Sequence, residues 1–319
     1  MKRLFAAVLA VTLTGCGFFG QPTNFRDGVP SAKDVELKMP QSGTQPLSGE
    51  GTRKDGLLGE QAEFYKVTRT VTVVVNTGTV AVLGLVGLIV KEQPTSQTAD
   101  SATWGPYTDS LSPNTWRLVV TKVADDDFTY SLEGRGKNEA DSAFRAVLTG
   151  AHKHLGDNLG KGTFLIDWDV AKTLPEHDAN LVGKADFTYS RESTSAEASI
   201  EVVFHQVKDT ETGQLVDANY LYKKRPNSGG NFEFNLKKNM VTGALIESLT
   251  INSRWAENGA GRSDVKVKGG DVPTEATANE CWDSNFLSTY FELSYDASKN
   301  YGSNSACNFQ SAEYSKLTL

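Results

Sequence analysis

Three short clusters carry the residue types that acid–base or metal chemistry needs. His152-Lys153-His154, with Asp157 three residues on, offers two imidazoles and a carboxylate. Histidines at i and i+2 share a face only on a strand, and this spacing matches no strong metal-binding pattern. Asp125-Asp126-Asp127 groups carboxylates of the kind that suit a hard cation. It lacks the glycine and distal glutamate of a calcium loop, so it reads as a solvated hairpin turn. Glu176-His177-Asp178 sets an imidazole between two carboxylates. Acid–base work needs such groups to converge in space, which adjacency in sequence does not establish. Ser193 and Ser195 lack a Gly-x-Ser-x-Gly elbow. No phosphate-binding loop, His-Glu-x-x-His or dinucleotide fingerprint occurs. No residue is therefore singled out as catalytic, and no metal or cofactor is expected.

The remaining reactive side chains are the three cysteines, Cys16, Cys281 and Cys307. Cys16 ends a distinctive N-terminus. Lys2 and Arg3 precede an apolar stretch at residues 4–13, too short for a helix to cross a hydrocarbon core of ~30 Å. Leu13-Thr14-Gly15-Cys16 then resembles the lipobox of bacterial lipoproteins: an apolar residue, two small ones, and the cysteine that receives the diacylglycerol. The resemblance covers the N-terminus alone. It implies a signal peptide at 1–15, cleavage before Cys16, and acyl chains such as palmitate holding the protein on a membrane. Gly17 in place of Asp implies the outer membrane rather than inner-membrane retention. Cys281 and Cys307 are then an even pair in an oxidising compartment, and a disulfide between them is expected.

These residues need elements to position them. Residues 16–62 read as the lipidated cysteine and a flexible tether, with Pro22, Pro30, Pro40 and Pro46 breaking any helix. Such a tether reaches roughly 35–40 Å. A domain is expected over 63–319. Within it, 67–75 is β-branched and strand-like, Asn76-Thr77-Gly78 signals a turn, and 79–90 reads as an apolar helix. The charge-free run 70–90 is long enough to raise a membrane span, which the Asn-Thr-Gly interruption argues against.

Past Pro94 the period is two. Phe128, Tyr130 and Leu132, Phe187 and Tyr189, and Phe232 and Phe234 each alternate with polar residues, and Leu118 and Val120 alternate with Arg117, Val119 and Thr121. One-sided alternation with short turns means an antiparallel sheet, buried on one face. The expected fold is mainly β: an antiparallel meander sheet or half-barrel of eight to eleven strands, covered by the apolar helix. Helical interruptions are expected over 138–154, with a strand ending at Gly150 as the alternative there, and over 169–174.

Acids outnumber bases 39 to 32, giving a net charge of −7, so the chain lacks the basic footprint of a nucleic-acid binder. Trp104-Gly105-Pro106-Tyr107 and Cys281-Trp282-Asp283 are aromatic clusters that either bind ligands or pack a barrel end. Asn114-Thr115-Trp116-Arg117-Leu118 and Glu280-Cys281-Trp282-Asp283 resemble stretches of lipoproteins from predatory soil bacteria of the myxobacterial kind. That likeness implies a compartment and no activity. The expected function is a lipid-anchored, non-catalytic envelope protein that binds an apolar or lipid ligand, or a protein partner. The alternatives are an envelope hydrolase using Asp and His residues, and a purely structural surface module. Oligomeric state is left open.

Overall fold

The computed structural model describes residues 23–41, 58–108, 110–178, 181–208, 213–238 and 245–317. Cys16 and the signal segment lie outside them. One long helix and one large sheet make up the fold. Helix α1 spans Glu63–Ile89. The first strands are β1 (Ser96–Gln97), β2 (Ser101–Tyr107), β3 (Asn114–Ala124), β4 (Asp127–Gly136), β5 (Arg145–Gly156) and β6 (Leu159–Asp167). The short helix α2 (Trp168–Ala171) follows. Then come β7 (Lys184–Arg191), β8 (Ala198–Lys208), β9 (Leu215–Arg225), β10 (Gly229–Lys238) and β11 (Glu247–Trp255). The last are β12 (Gly261–Gly269), β13 (Val272–Trp282), β14 (Ser288–Leu293) and β15 (Tyr301–Gly302).

Every strand pairs antiparallel with its sequence neighbours, so the sheet is an unbroken fifteen-stranded meander. That is the mainly β antiparallel architecture the alternation implies, with more strands than expected. Two of the extra ones, β1 and β15, are two-residue edge strands. Short edges limit pairing with other chains. The inner face carries the alternating apolar residues, among them Leu118, Tyr130, Phe187, Phe234, Ile251 and Val265, all buried.

The cover of that face differs from expectation in two ways. Residues 67–75 and 79–90 are not a strand and a separate helix. They form the single helix α1, which runs through Asn76-Thr77-Gly78. The β-branched threonines are accommodated because their hydroxyls bond back one turn: Thr68 to Phe64 O, Thr72 to Thr68 O and Thr79 to Val75 O. Burial of Phe64, Tyr65, Leu83 and Val86 overrides the weak helix propensity of the Val/Thr run. No described helix is long and apolar enough to cross a membrane.

Second, the tether reading fails for residues 23–41. They pack on the sheet with Phe25, Val29, Val35, Leu37 and Met39 buried. Asn76 holds this segment to α1. Its side chain accepts from Leu37 N and donates to Leu37 O, both at 2.9 Å. Gly28 lies so close to β3 that a Cβ there would sit 2.6 Å from Val120 Cγ1. The helix expected over 138–154 is a single turn at Asp141–Ala143 followed by β5. The one expected over 169–174 is α2.

The N-terminus of α1 is met by a buried acid. Glu280 of β13 accepts from Glu63 N at 3.0 Å and Phe64 N at 2.7 Å, two donors that a helix start leaves open. Burial pushes its carboxyl up to about 7, against the pull of those donors. On the outer face of β11–β13 the C-terminal tail forms a second layer. Cys281 and Cys307 are joined there by a disulfide, with Cα atoms 5.5 Å apart.

Candidate ligand pocket

The clusters singled out for chemistry do not assemble. His152 faces inward and is buried, its Nδ1 2.6 Å from Tyr189 Oη. Burial holds the imidazole down to about 4, against the pull of Asp34, so it is neutral at neutral pH. The ring is roofed by the 23–41 segment. Asp126 takes a left-handed conformation in the β3–β4 turn, and Asp125 and Asp127 pair with Lys122 and Lys153. His177 Nε2 lies 3.3 Å from the Leu181 carbonyl, away from the other clusters. Ser193 and Ser195 bond each other in the β7–β8 turn. Among the described residues no three His, Cys, Asp or Glu side chains come together as a metal would require. The aromatic clusters are structural: Trp104 Nε1 donates to Glu92 O and Trp282 Nε1 to Gly259 O.

What the fold does build is a cavity between α1 and the sheet. It has a volume of about 340 Å³. Val74, Val75 and Thr79 of α1 form one side. The other is an aromatic row carried on successive strands. Phe187 and Phe204 meet edge to face at 6.4 Å, and Phe204 and Tyr220 at 5.3 Å. Trp168 of α2 stacks on Phe204 at 6.3 Å. Such contacts fix the rings beyond their area burial.

The cavity exists because the sheet parts there. β9 and β10 pair from Arg225–Gly229 only as far as Tyr220–Phe234. Beyond that point β9 follows β8 down to Leu215–Lys208, while β10 follows β11 down to Lys238–Glu247. A register shift between Phe204 and Val207 marks the diverging hairpin, with Gln206 in the left-handed region. Bulges of this kind bend a strand and sharpen its twist. Val216, Ala218, Leu236 and Lys237 line the resulting gap. Leu181 also lines it, and together with Leu215 and Leu245 it is an exposed aliphatic residue on connections at the same end of the sheet. A meander places alternate connections at one end, so these residues surround the mouth.

A second, wider depression of about 570 Å³ lies on the opposite face and is lined by Thr121, Thr129, Thr149, Thr163 and Thr188. Its threonine hydroxyls are interspersed with apolar atoms of residues such as Val119, Ala151 and Leu165. The expectation of an apolar helix covering the sheet assigned no residue to a pocket, and Phe187 was expected only as an alternating strand position. It missed Trp168, Tyr220 and Lys237. The Tyr220-Leu221-Tyr222 alternation was available as a signal for the second; the parting of β9 from β10 left none for the third.

No family model matches this chain, and neither a curated protein nor a solved structure is significantly similar to it.

Proposed function

We propose that this protein is a lipid-anchored component of a bacterial envelope that holds an apolar ligand between α1 and strands β6–β10, without catalysing a reaction. The observation that carries the ligand reading is the apolar cavity of about 340 Å³ under the helix. Ligand sites are apolar hollows of ~300–1,000 Å³ with few polar groups. A packed structural module would close such a space, since voids weaken a core. The hydrolase alternative gains no support from the scattered His and carboxylate groups. The anchor reading rests on the lipobox resemblance at Cys16 and is consistent with the Cys281–Cys307 disulfide, a bond of oxidising compartments.

Native mass spectrometry of protein taken from its own envelope tests the ligand. A bound apolar molecule is expected, and repeated recovery of the bare chain would discard the reading. Replacement Cys16→Ala tests the anchor separately. The variant should leave the membrane fraction with its domain intact. If it still sediments with membranes, the anchor lies elsewhere.

A further inference from the structure

We propose that the pocket takes a single-chain amphiphile with an anionic headgroup, its chain under α1 and its headgroup beside Lys237. This rests on the apolar-ligand reading and narrows it. Size comes first. At ~30 Å³ for each water-sized group in a liquid, about 340 Å³ holds about eleven groups. That is one alkyl chain of moderate length, not the two of a diacyl lipid.

The distribution of polarity comes second. Val75, Ile166, Phe187 and Phe204 give the lining its apolar character, and the hydroxyl of the buried Thr79 is turned back to Val75 O. Among the described residues, charged groups line the cavity where β9 and β10 part: Lys208, Asp217 and Lys237. Asp217 is already engaged, its Oδ1 accepting from Gln206 N at 2.9 Å and Gln206 Nε2 at 3.2 Å. Lys237 is half-buried and takes part in no ion pair among the described residues. A half-buried ammonium next to an apolar hollow favours an anion at that spot, because partial desolvation strengthens the attraction. Lys237 therefore gives the mouth its preference for negative headgroups. The exposed Leu181 and Leu215 give the chain an apolar path inward.

The test titrates the purified full chain with dodecanoate, dodecyl phosphate, dodecanol and dodecylammonium, each below its micelle concentration. A charge-assisted contact exceeds a neutral one by roughly 1.4 kcal/mol, so the two anions should bind about tenfold tighter than the alcohol. Whichever anion binds tighter identifies the headgroup as carboxylate or phosphate. Lys237→Gln should remove the anion preference while leaving dodecanol binding in place. Ala218→Trp, which fills the cavity, should abolish binding of all four while the unfolding transition persists. Equal binding of anions and alcohol, tighter binding of the ammonium, or a preference that survives Lys237→Gln would overturn the headgroup assignment and leave the apolar pocket standing. Undiminished binding by the Ala218→Trp variant, or no binding of any probe to the parent chain, would overturn both.

Discussion

Strands β11–β13 and strands β6–β10 belong to one sheet and are built in opposite ways. In the first sector both faces are covered. Inside, Thr68 of α1 meets Ser253 at 2.5 Å and Ser253 meets Ser263 at 2.5 Å. Outside, Arg254 and Arg262 share one buried acid: Arg254 Nη2 lies 2.7 Å from Asp264 Oδ2, and Arg262 Nε 2.5 Å from Asp264 Oδ1. The tail completes their shells. Arg262 also donates to Asn304, Phe309 O and Gln310 O, and Arg254 to Ser311 O and the Glu313 carboxylate. In the second sector the inner face borders a cavity, two hairpins part, and aliphatic residues stand in solvent. The first sector fixes α1 by its N-terminus; the second leaves its middle uncovered on the cavity side. Val74, at 67 % exposure, bounds the cavity and faces solvent. A sheet this wide can hold a ligand at one place because its helix is held firmly at another.

The largest break in the contrast should come from Asp264→Ala. It leaves two buried guanidinium groups without their shared acid, and removing one partner of a buried ion group costs about 3–5 kcal/mol. Urea unfolding should register that loss. A loss under about 1 kcal/mol would mean that the tail's carbonyls alone hold the two arginines.

Opening the Cys281–Cys307 bridge ranks next. The bonded residues are 26 apart, and constraint of the unfolded chain by such a loop contributes about 3.5 kcal/mol in the chain-entropy model. The double replacement Cys281→Ala with Cys307→Ala should lower stability by an amount of that order. It should also expose the tail to protease while leaving ligand binding at the distant pocket unaltered. A loss of binding would join the two sectors into one unit.

Glu280 gives the contrast a pH dependence. Its folded value is raised from an ordinary carboxylate to about 7 by burial, so the folded state holds its proton after the unfolded chain has released its own. The stability this group contributes is full below about 4.5, falls as pH rises, and is lost once pH passes about 7. The whole change is at most about 3.5 kcal/mol, at ~1.4 kcal/mol per unit. Glu280→Gln should flatten that slope between pH 4.5 and 7, measured by thermal unfolding across the range. An unchanged slope would assign it to other groups.

The sheet was legible in the residues and its cover only in part. Period-two runs such as Phe128-Thr129-Tyr130-Ser131-Leu132 make a one-sided strand hard to avoid, and the structure pairs them as expected. Residues 67–75 misled because Val and Thr favour strands locally, whereas burial inside the sheet decided the matter. In the 23–41 segment, Val35, Leu37 and Met39 alternate with charged residues, a signal that the surrounding Pro, Gly and Ser obscured. Arg254, Arg262 and Asp264 sit at outward positions of their strands. Nothing local distinguishes an outward position facing water from one facing a tail forty or more residues on. The cavity depends on where β9 leaves β10, a tertiary property that no single strand encodes.

The smallest expected effect is the sharpest test of the comparison, because it applies one change to both sectors. Ala278 of β13 faces inward in the closed sector and is 2 % exposed. Ala218 of β9 lines the cavity and is half-buried. Adding three carbons to a filled site forces neighbours off their rotamers at about 1–3 kcal/mol. Ala278 has no such room, since its strand is flanked by β12 and β14 and roofed by α1. Ala278→Leu should therefore destabilise the protein within that range. Ala218→Leu places the same atoms into empty apolar space, where they bury surface at ~0.8 kcal/mol per methylene and displace no side chain. It should leave the urea midpoint nearly unchanged or raise it slightly. Equal losses from the two substitutions would mean that the space under α1 is closed in solution, and the two sectors would then be alike.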